Sequence, residues 1–271
     1  MSAVGAAALS RHPIAATATG EVAGALLEAV GPGADQVFLY ASRHHTGTLE
    51  DVVGAIRSIL GPGTLTTATT DIVIAGTQVV DDGPALAALA VRAGPEATTT
   101  ITVPGCRPIG EPMIVTAADG DLLVDLASEP ALLVLRRVID GLAARDRALA
   151  AEGLHLGIVL DERKEHFGPG DFAVHAVRGS VGASSVAIDV DVPVGTTVQF
   201  LVTDPGTARA ELRRALAGHD ACGALLLVSP DRPSPGADAA ALAELVGPAV
   251  AGMSTPGQIG AASVLLFGGP G

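Results

Sequence analysis

The residues best placed to do chemistry stand in one segment, Gly105-Cys106-Arg107-Pro108-Ile109-Gly110-Glu111-Pro112, which crowds a thiol, a cation and a carboxylate between glycines and prolines. Proline fixes φ and removes a donor, while glycine admits backbone shapes that other residues avoid. Such a segment reads as a loop of fixed shape from which Arg107 and Glu111 project in set directions. A guanidinium can hold a carboxylate through two parallel hydrogen bonds. Arg107, Glu111, Gln199 and Gln258, with Gly105, Gly110 and Cys106, are the candidate ligand-binding residues; the alternative is a stiff strand connector whose Arg107 and Glu111 are merely solvated. Cys106 has a cation beside it, which lowers a thiol pKa. A nucleophile also needs a base and an orienting group, and no histidine spacing identifies one. No catalytic residue is assigned.

The remaining metal and cofactor signals are weak. Cys106 and Cys222 are far apart and form neither a disulfide framework nor a zinc spacing. His44 and His45 are neighbours whose side chains point apart on an extended chain. His155, His166 and His175 could be considered for haem, but no c-type attachment motif is present, and a chain with no Trp, one Tyr and five Phe is poor material for a haem pocket. Neither metal nor cofactor is expected.

These residues need elements to position them. Residues 1–17 read as a loose arm. Thr19 can cap a helix from Gly20 to Val30, and Gln36 to Ala41 reads as a buried strand. Thr48 and Asp51 resemble a capping box ahead of the stripe Leu49, Val52, Val53, Ile56, Ile59 and Leu60. Asp71 to Ala75 is a short strand, and Ala85 to Val91 is ambiguous. Strand runs flank the Gly105 segment, and Asp119-Gly120 signals a hairpin between Met113–Thr116 and Leu122–Leu126. Ser128 with Pro130 opens one long helix closed by Gly153. Leu154–Leu160, Asp171–Val177, the alternating Val186–Val192 and Thr196–Thr203 follow as strands. Asp204-Pro205 starts a helix to about Ala217. Cys222–Val228 is a strand, Asp238–Val246 a short helix, and Ala262–Phe267 the last strand. No short internal repeat is evident. The mixed order points to an α+β fold in mixed layers.

Composition narrows the function classes. The net charge of −13 opposes binding to phosphate backbones and anionic membranes. No basic cluster or aromatic platform contradicts this, so neither nucleic acid nor membrane is an expected partner. No apolar run is long enough to span a bilayer, and the first residues do not read as a signal peptide. Two unpaired cysteines fit a reducing compartment, so the expected location is cytoplasmic. The preference for Ala, Gly, Val and Arg over Lys resembles a high-GC bacterial coding sequence.

With these residues in view, the chain resembles the FIST family. The segment Gly105 to Pro112, followed by Ile114-Val115-Thr116 and Asp119-Gly120, resembles the opening of a FIST C-terminal domain. Gly170-Asp171-Phe172 is similar to the family's strand entry, and Val198-Gln199-Phe200 with Asp204 and Ala208 to its "VQF…D…A" segment. Gly223-Ala224-Leu225-Leu226, then Gly252 and Gly257-Gln258-Ile259-Gly260, resemble its closing pattern, with Gln258 where the family has an acidic residue. Thr19-Gly20-Glu21-Val22 and Ser42-Arg43-His44 resemble a FIST N-terminal domain. The resemblance implies a shortened N-terminal-like domain over residues 16–97 and a C-terminal-like domain over 98–268, in a two-part architecture of mixed sheets flanked by helices. It also implies a sensory module that binds small ligands, amino acids or related carboxylates among them. Such a module acts in signal transduction through a protein partner and is no enzyme. The alternative is a protein-interaction adaptor, or a degenerate member without a ligand.

Overall fold

The computed structural model describes residues 3–93, 98–257 and 259–268. Strands and helices follow one another as β1 (Val4–Ser10), α1 (Ala15–Val30), β2 (Gln36–Ser42), α2 (Leu49–Leu60), β3 (Thr64–Thr70), β4 (Val73–Ala75), β5 (Gln78–Val80), β6 (Leu86–Arg92), β7 (Thr98–Val103), β8 (Cys106–Asp119), β9 (Leu122–Leu126), β10 (Glu129–Pro130), α3 (Ala131–Asp140), α4 (Ala144–Glu152), β11 (Leu154–Val159), β12 (Phe172–Val181), β13 (Ser185–Ile188), β14 (Thr197–Thr203), α5 (Pro205–Leu216), β15 (Ala221–Val228), α6 (Pro235–Val246), β16 (Val250–Ser254) and β17 (Ala262–Gly268). The fold is α+β, with mixed sheets flanked by helices. The chain divides into two compact units. One comprises residues 1–103, 209–257 and 262–271, the other residues 104–208 and 258–261, so the division falls inside α5.

The first unit holds two sheets, ordered β1-β6-β2-β3 and β5-β4-β16-β15-β17-β7. Helices α1 and α2 bury Val22, Leu26, Val52, Ile56 and Leu60 on one sheet, while Leu212 of α5 and Leu242 of α6 cover the other. Between the sheets lies a core of Tyr40, Leu89, Val91, Leu225, Ala251 and Phe267. The result is four layers, helix–sheet–sheet–helix.

The two sheets repeat one another. In each, a parallel pair joined by a helix (β2-α2-β3 and β15-α6-β16) lies beside a strand antiparallel to its first member (β6 and β17) and an outer antiparallel strand (β1 and β7). Helices α2 and α6 have 12 residues each. The connectors 43–48 and 229–234 are equal in length, as are 61–63 and 247–249, which open Gly61-Pro62 and Gly247-Pro248. The same offset carries Leu26 to Leu212, Leu39 to Leu225 and Ile56 to Leu242, all buried. It also carries Val52 to Asp238, a buried carboxylate that accepts from Arg232 Nε at 2.8 Å and Nη2 at 3.1 Å. Two additions distinguish the halves. The β4–β5 hairpin follows β3 and pairs with β16, and residues 104–204 stand between β7 and α5 where the first half has only 11–14.

In the second unit, antiparallel pairings run β8-β14-β11-β12-β13-β9 and return from β9 to β8, closing the sheet on itself. Phe200, Leu156, Val198, Leu123 and Leu126 fill its core, and Leu132 and Leu135 of α3 join them.

Several expectations need correction. Residues 4–10 form β1, held by antiparallel pairing with β6, a distant partner that a run of small residues does not announce. Thr64–Thr70 and Val250–Ser254 are strands too. Helix α1 begins at Ala15, and Thr19 Oγ1 donates to the Ala15 carbonyl inside it instead of capping. Thr48 makes no side-chain cap and donates to the His45 carbonyl. The long helix is two, α3 and α4, broken at Gly141. The alternating run from Val186 is a strand only to Ile188. The Gly105 segment is mostly strand: Cys106 to Ile109 pair with Thr203 to Phe200, and an irregularity follows. Gly110, at φ +64°, permits that bend.

Candidate functional site

The Gly105 segment sits at a tight crossing within the second unit. A Cβ on Gly105 would stand 1.9 Å from the Gly260 carbonyl oxygen, so only glycine fits. The Gly105 carbonyl accepts from the Asp204 N–H at 3.1 Å. Cys106, buried, lies with its Sγ 3.6 Å from Thr203 Oγ1 and 3.8 Å from the Ile259 carbonyl, and His155 Nε2 stands 3.0 Å from the same threonine hydroxyl.

Arg107 projects from β8 onto protein carboxylates. Its Nε donates to Asp204 Oδ2 at 2.8 Å and its Nη2 to Asp146 Oδ1. Burial pulls its pKa down, but the hydrogen bonds it donates to Asp204 and Asp146, and their negative charges, outweigh this and hold it above the usual value. Asp204 is the deeper partner, with a side chain 2% exposed. It also accepts from Arg145 Nη2 at 3.1 Å and from the N–H groups of Gly206 at 2.9 Å and Thr207 at 3.3 Å, which start α5. Burial alone would raise its pKa, yet Arg107, those N–H groups and Arg145 leave it below the ordinary carboxylate range.

The structure thus brings Gly105, Cys106 and Arg107 together with Asp204, Asp146 and Thr203. Gln199 is buried and donates to the Gly110 carbonyl at 2.6 Å. Glu111 is exposed on β8. Gln258 lies outside the described residues.

An open volume occurs elsewhere, in the first unit. A cleft of about 490 Å³ is lined by Arg43 and Thr46 of the connector after β2, by Thr69, Thr70 and Asp71 at the end of β3, and by Pro230 and the run 253–256 from the second half. Among the described residues, none of the candidates lines it. The cleft lies at the carboxyl ends of both parallel pairs, where α/β sheets characteristically bind ligands. It is also where the two halves meet. The hydroxyls of Thr70 and Ser254, ending β3 and β16, lie 2.9 Å apart, and Thr70 Oγ1 stands 3.0 Å from the Ser254 carbonyl. At the mouth, Arg43 donates through Nε and Nη2 to the two oxygens of Asp71, the Nη2 bond measuring 2.9 Å. Both side chains are largely exposed, at 77% and 62%. A cation, a carboxylate and several hydroxyls thus face one small volume. A second hollow, of about 510 Å³ along α1 and α2, is lined mainly by Ile14, alanines, Val52 and Ile59, with no cation.

Sequence reasoning named neither Arg43 nor Asp71 as site residues. The available signal was the polar connector beginning Ser42-Arg43-His44; Thr69 to Asp71 and 253–256 reach the cleft only through sheet pairing.

Among the described residues, no group of three or more His, Cys, Asp or Glu could hold a metal ion, and no helix is long and apolar enough to cross a membrane.

Fold and site together define a two-unit α+β protein whose first unit repeats one sheet arrangement and carries a cleft where the two halves meet. Residues 131–261, just under half of the chain, match the FIST C domain, a family of sensory-type domains. Among curated relatives, the uncharacterized protein Mb0898c of Mycobacterium bovis is 46% identical over 110 residues, which are 40% of this chain and 28% of that protein. The uncharacterized protein Rv0628c of Mycobacterium tuberculosis is 42% identical over 123 residues, 44% of this chain and 31% of that protein. The matched stretch therefore spans less than a third of either relative. A solved structure, that of cyanuric acid hydrolase from A. caulinodans, aligns over 98% of this chain and 99% of its own with 10% identity and a TM-score of 0.32, a likeness from which nothing is inferred.

Proposed function

We propose that this chain is a small-ligand-binding sensory module that holds an amino acid or related carboxylate in the Arg43–Asp71 cleft, passes its bound state to a protein partner, and catalyses no reaction. The observation that carries this reading is the cleft itself, a volume of about 490 Å³ with one cation and one carboxylate at its mouth. A ligand carboxylate can take the guanidinium fork of Arg43, and a ligand ammonium can take Asp71. The hydroxyls of Thr46, Thr69 and Thr255 offer further hydrogen bonds. Each half of the exposed Arg43–Asp71 pair then exchanges one partner for another, so little is lost on binding. By contrast, the carboxylates on Arg107 are the protein's own.

A thermal-shift screen of the chain against amino acids and simple carboxylates tests this. A ligand at about a hundredfold its dissociation constant adds roughly 2.7 kcal/mol of stability. The shift is expected to vanish in Arg43→Ala and to survive in Glu111→Ala. No shift with any compound, or a shift that Arg43→Ala leaves intact, defeats the assignment.

A further inference from the structure

The duplication within the first unit makes one edge conspicuous. In the second half, the outer side of β16 is covered by β4, which pairs with it antiparallel from Ala251–Ala75 to Met253–Val73. The corresponding strand of the first half is β3. It pairs with β2 on one side, and among the described residues no strand pairs with the other. The remaining corresponding strands, β1 and β7, are edges in both halves, so the comparison singles out β3.

We propose that the uncovered edge of β3 is an interface with a second copy of this chain, the two β3 strands pairing antiparallel about a two-fold axis at Thr67. Three observations carry this.

First, the backbone groups are in position. The Thr64 N–H donates inward to the Asp35 carbonyl at 2.9 Å. Alternation along a parallel strand then turns the N–H and C=O of Leu65, Thr67 and Thr69 outward. Thr67 is the middle of Thr64–Thr70, so this outward set is self-complementary: Thr67 meets its twin and Leu65 meets Thr69 of the second copy. Such a ladder supplies about six backbone hydrogen bonds.

Second, β3 lacks what usually blunts an edge. It reads Thr-Leu-Thr-Thr-Ala-Thr-Thr, without charge, proline or glycine, and its only register is the regular one with β2. Edges so written are templates for another strand.

Third, the charge pattern selects the place. Each copy carries a net charge of −13, which opposes association in general. Strand β3 holds no ionisable group, and the carboxylate that follows it, Asp71, is bonded to Arg43. Two copies meeting here bring no unpaired like charges to the strand spacing. In the second half, β16 at the corresponding position takes β4 as an antiparallel neighbour on that side. The inference stands apart from the ligand reading, although Thr69 belongs to both the edge and the cleft wall.

Sedimentation equilibrium across the micromolar range tests it, using the full chain. The wild type is expected as a reversible dimer. Thr67→Pro removes one outward donor at an edge position, where proline is tolerated. Thr66→Lys sets two like charges beside the axis, on an exposed side chain. Each variant is expected to raise the dimer dissociation constant at least about tenfold, as lost edge hydrogen bonds or added repulsion should. Far-UV circular dichroism checks that both remain folded, and if Thr67→Pro does not, Thr66→Lys decides. A monomeric wild type overturns the proposal, as does a dimer that persists unchanged in the folded variants.

Discussion

Removing the Asp204 carboxylate should cost the second unit more stability than any surface change of similar size. The side chain is 2% exposed and does two things at once. It accepts from Gly206 and Thr207 N–H at the start of α5, and it carries Arg107 at 2.8 Å. Loss of a helix cap costs about 1 kcal/mol. Loss of a hydrogen bond between charged groups costs about 1.5–3 kcal/mol. The larger penalty of about 3–5 kcal/mol for stranding a buried charge is not reached, because Arg107 keeps Asp146 and is 21% exposed. Arg145, at 70% exposure, adds little. Asp204→Ala should therefore lose about 3 kcal/mol in all, and Asp204→Asn, which keeps an acceptor for the cap, about 2 kcal/mol. Urea titrations followed by far-UV circular dichroism give the comparison, with hydrogen exchange assigning the loss to residues 104–208, since two units need not unfold together. The pH dependence follows the same pair. The folded pKa is depressed, so the contribution is whole above the unfolded carboxylate range and is lost as pH falls through the folded pKa. A loss under about 1 kcal/mol for alanine would refute the account of Asp204 as an anchor, and an asparagine variant as stable as wild type would refute the part assigned to charge.

Two glycines should respond in opposite directions. Gly105→Ala drives a Cβ to 1.9 Å from a carbonyl oxygen, with backbone on both sides, and should cost about 3 kcal/mol or more. Gly24→Ala, exposed in α1 with nothing within 4 Å of the added carbon, should instead stabilise by about 0.5–1 kcal/mol; thermal unfolding of the pair checks both. His45 is 1% exposed, and its Nε2 makes no hydrogen bond among the described residues. Burial holds its pKa below the ordinary imidazole value, with His44 adding to this against a hydrogen bond to the His12 backbone. A histidine depressed in this way costs stability as pH falls below the unfolded value of about 6.5, until the folded pKa is passed. His45→Gln should flatten the stability curve as pH falls below about 6.5, and an unchanged slope would remove His45 from the account.

The periodic elements were legible because their signal is local. Within the stripe Leu49, Val52, Val53, Ile56, Ile59 and Leu60, Val52, Ile56 and Leu60 are buried as the spacing requires while Ile59 is exposed, and Asp119-Gly120 makes the hairpin between β8 and β9, with Gly120 at φ +59°. What escaped depends on partners distant in the chain. Strand β1 carries no pattern of its own and exists through β6. The Gly105 segment reads as a loop by composition, but β14 recruits Cys106 to Ile109 into a ladder. The duplication escaped as well, because corresponding positions share chemistry more than identity: Ile56 answers to Leu242, and Val52 to a buried aspartate. At the candidate site, the sequence reads Arg107 as a contact for a ligand carboxylate, whereas in the structure its guanidinium holds Asp204 and Asp146, partners distant in the chain. The cleft was not legible, since Arg43, Thr70 and Ser254 come together only when two sheets stack.

The placement of residues 104–204 between β7 and α5 sets the order in which a growing chain can become structured. Strands β1, β2, β3 and β6 are all present once the ribosome has passed Arg92, so the first sheet and its helices can assemble early. The second unit is nearly contiguous and can follow. The second sheet cannot, because β15, β16 and β17 emerge last. Until they do, Leu89 and Val91 face water on a sheet whose cover has not been made. That interval, with an apolar sheet face uncovered, is when aggregation competes with folding. Fragments ending before residue 221 should therefore be the least soluble forms of this protein, and slowing translation beyond that point should lower its yield more than slowing it earlier.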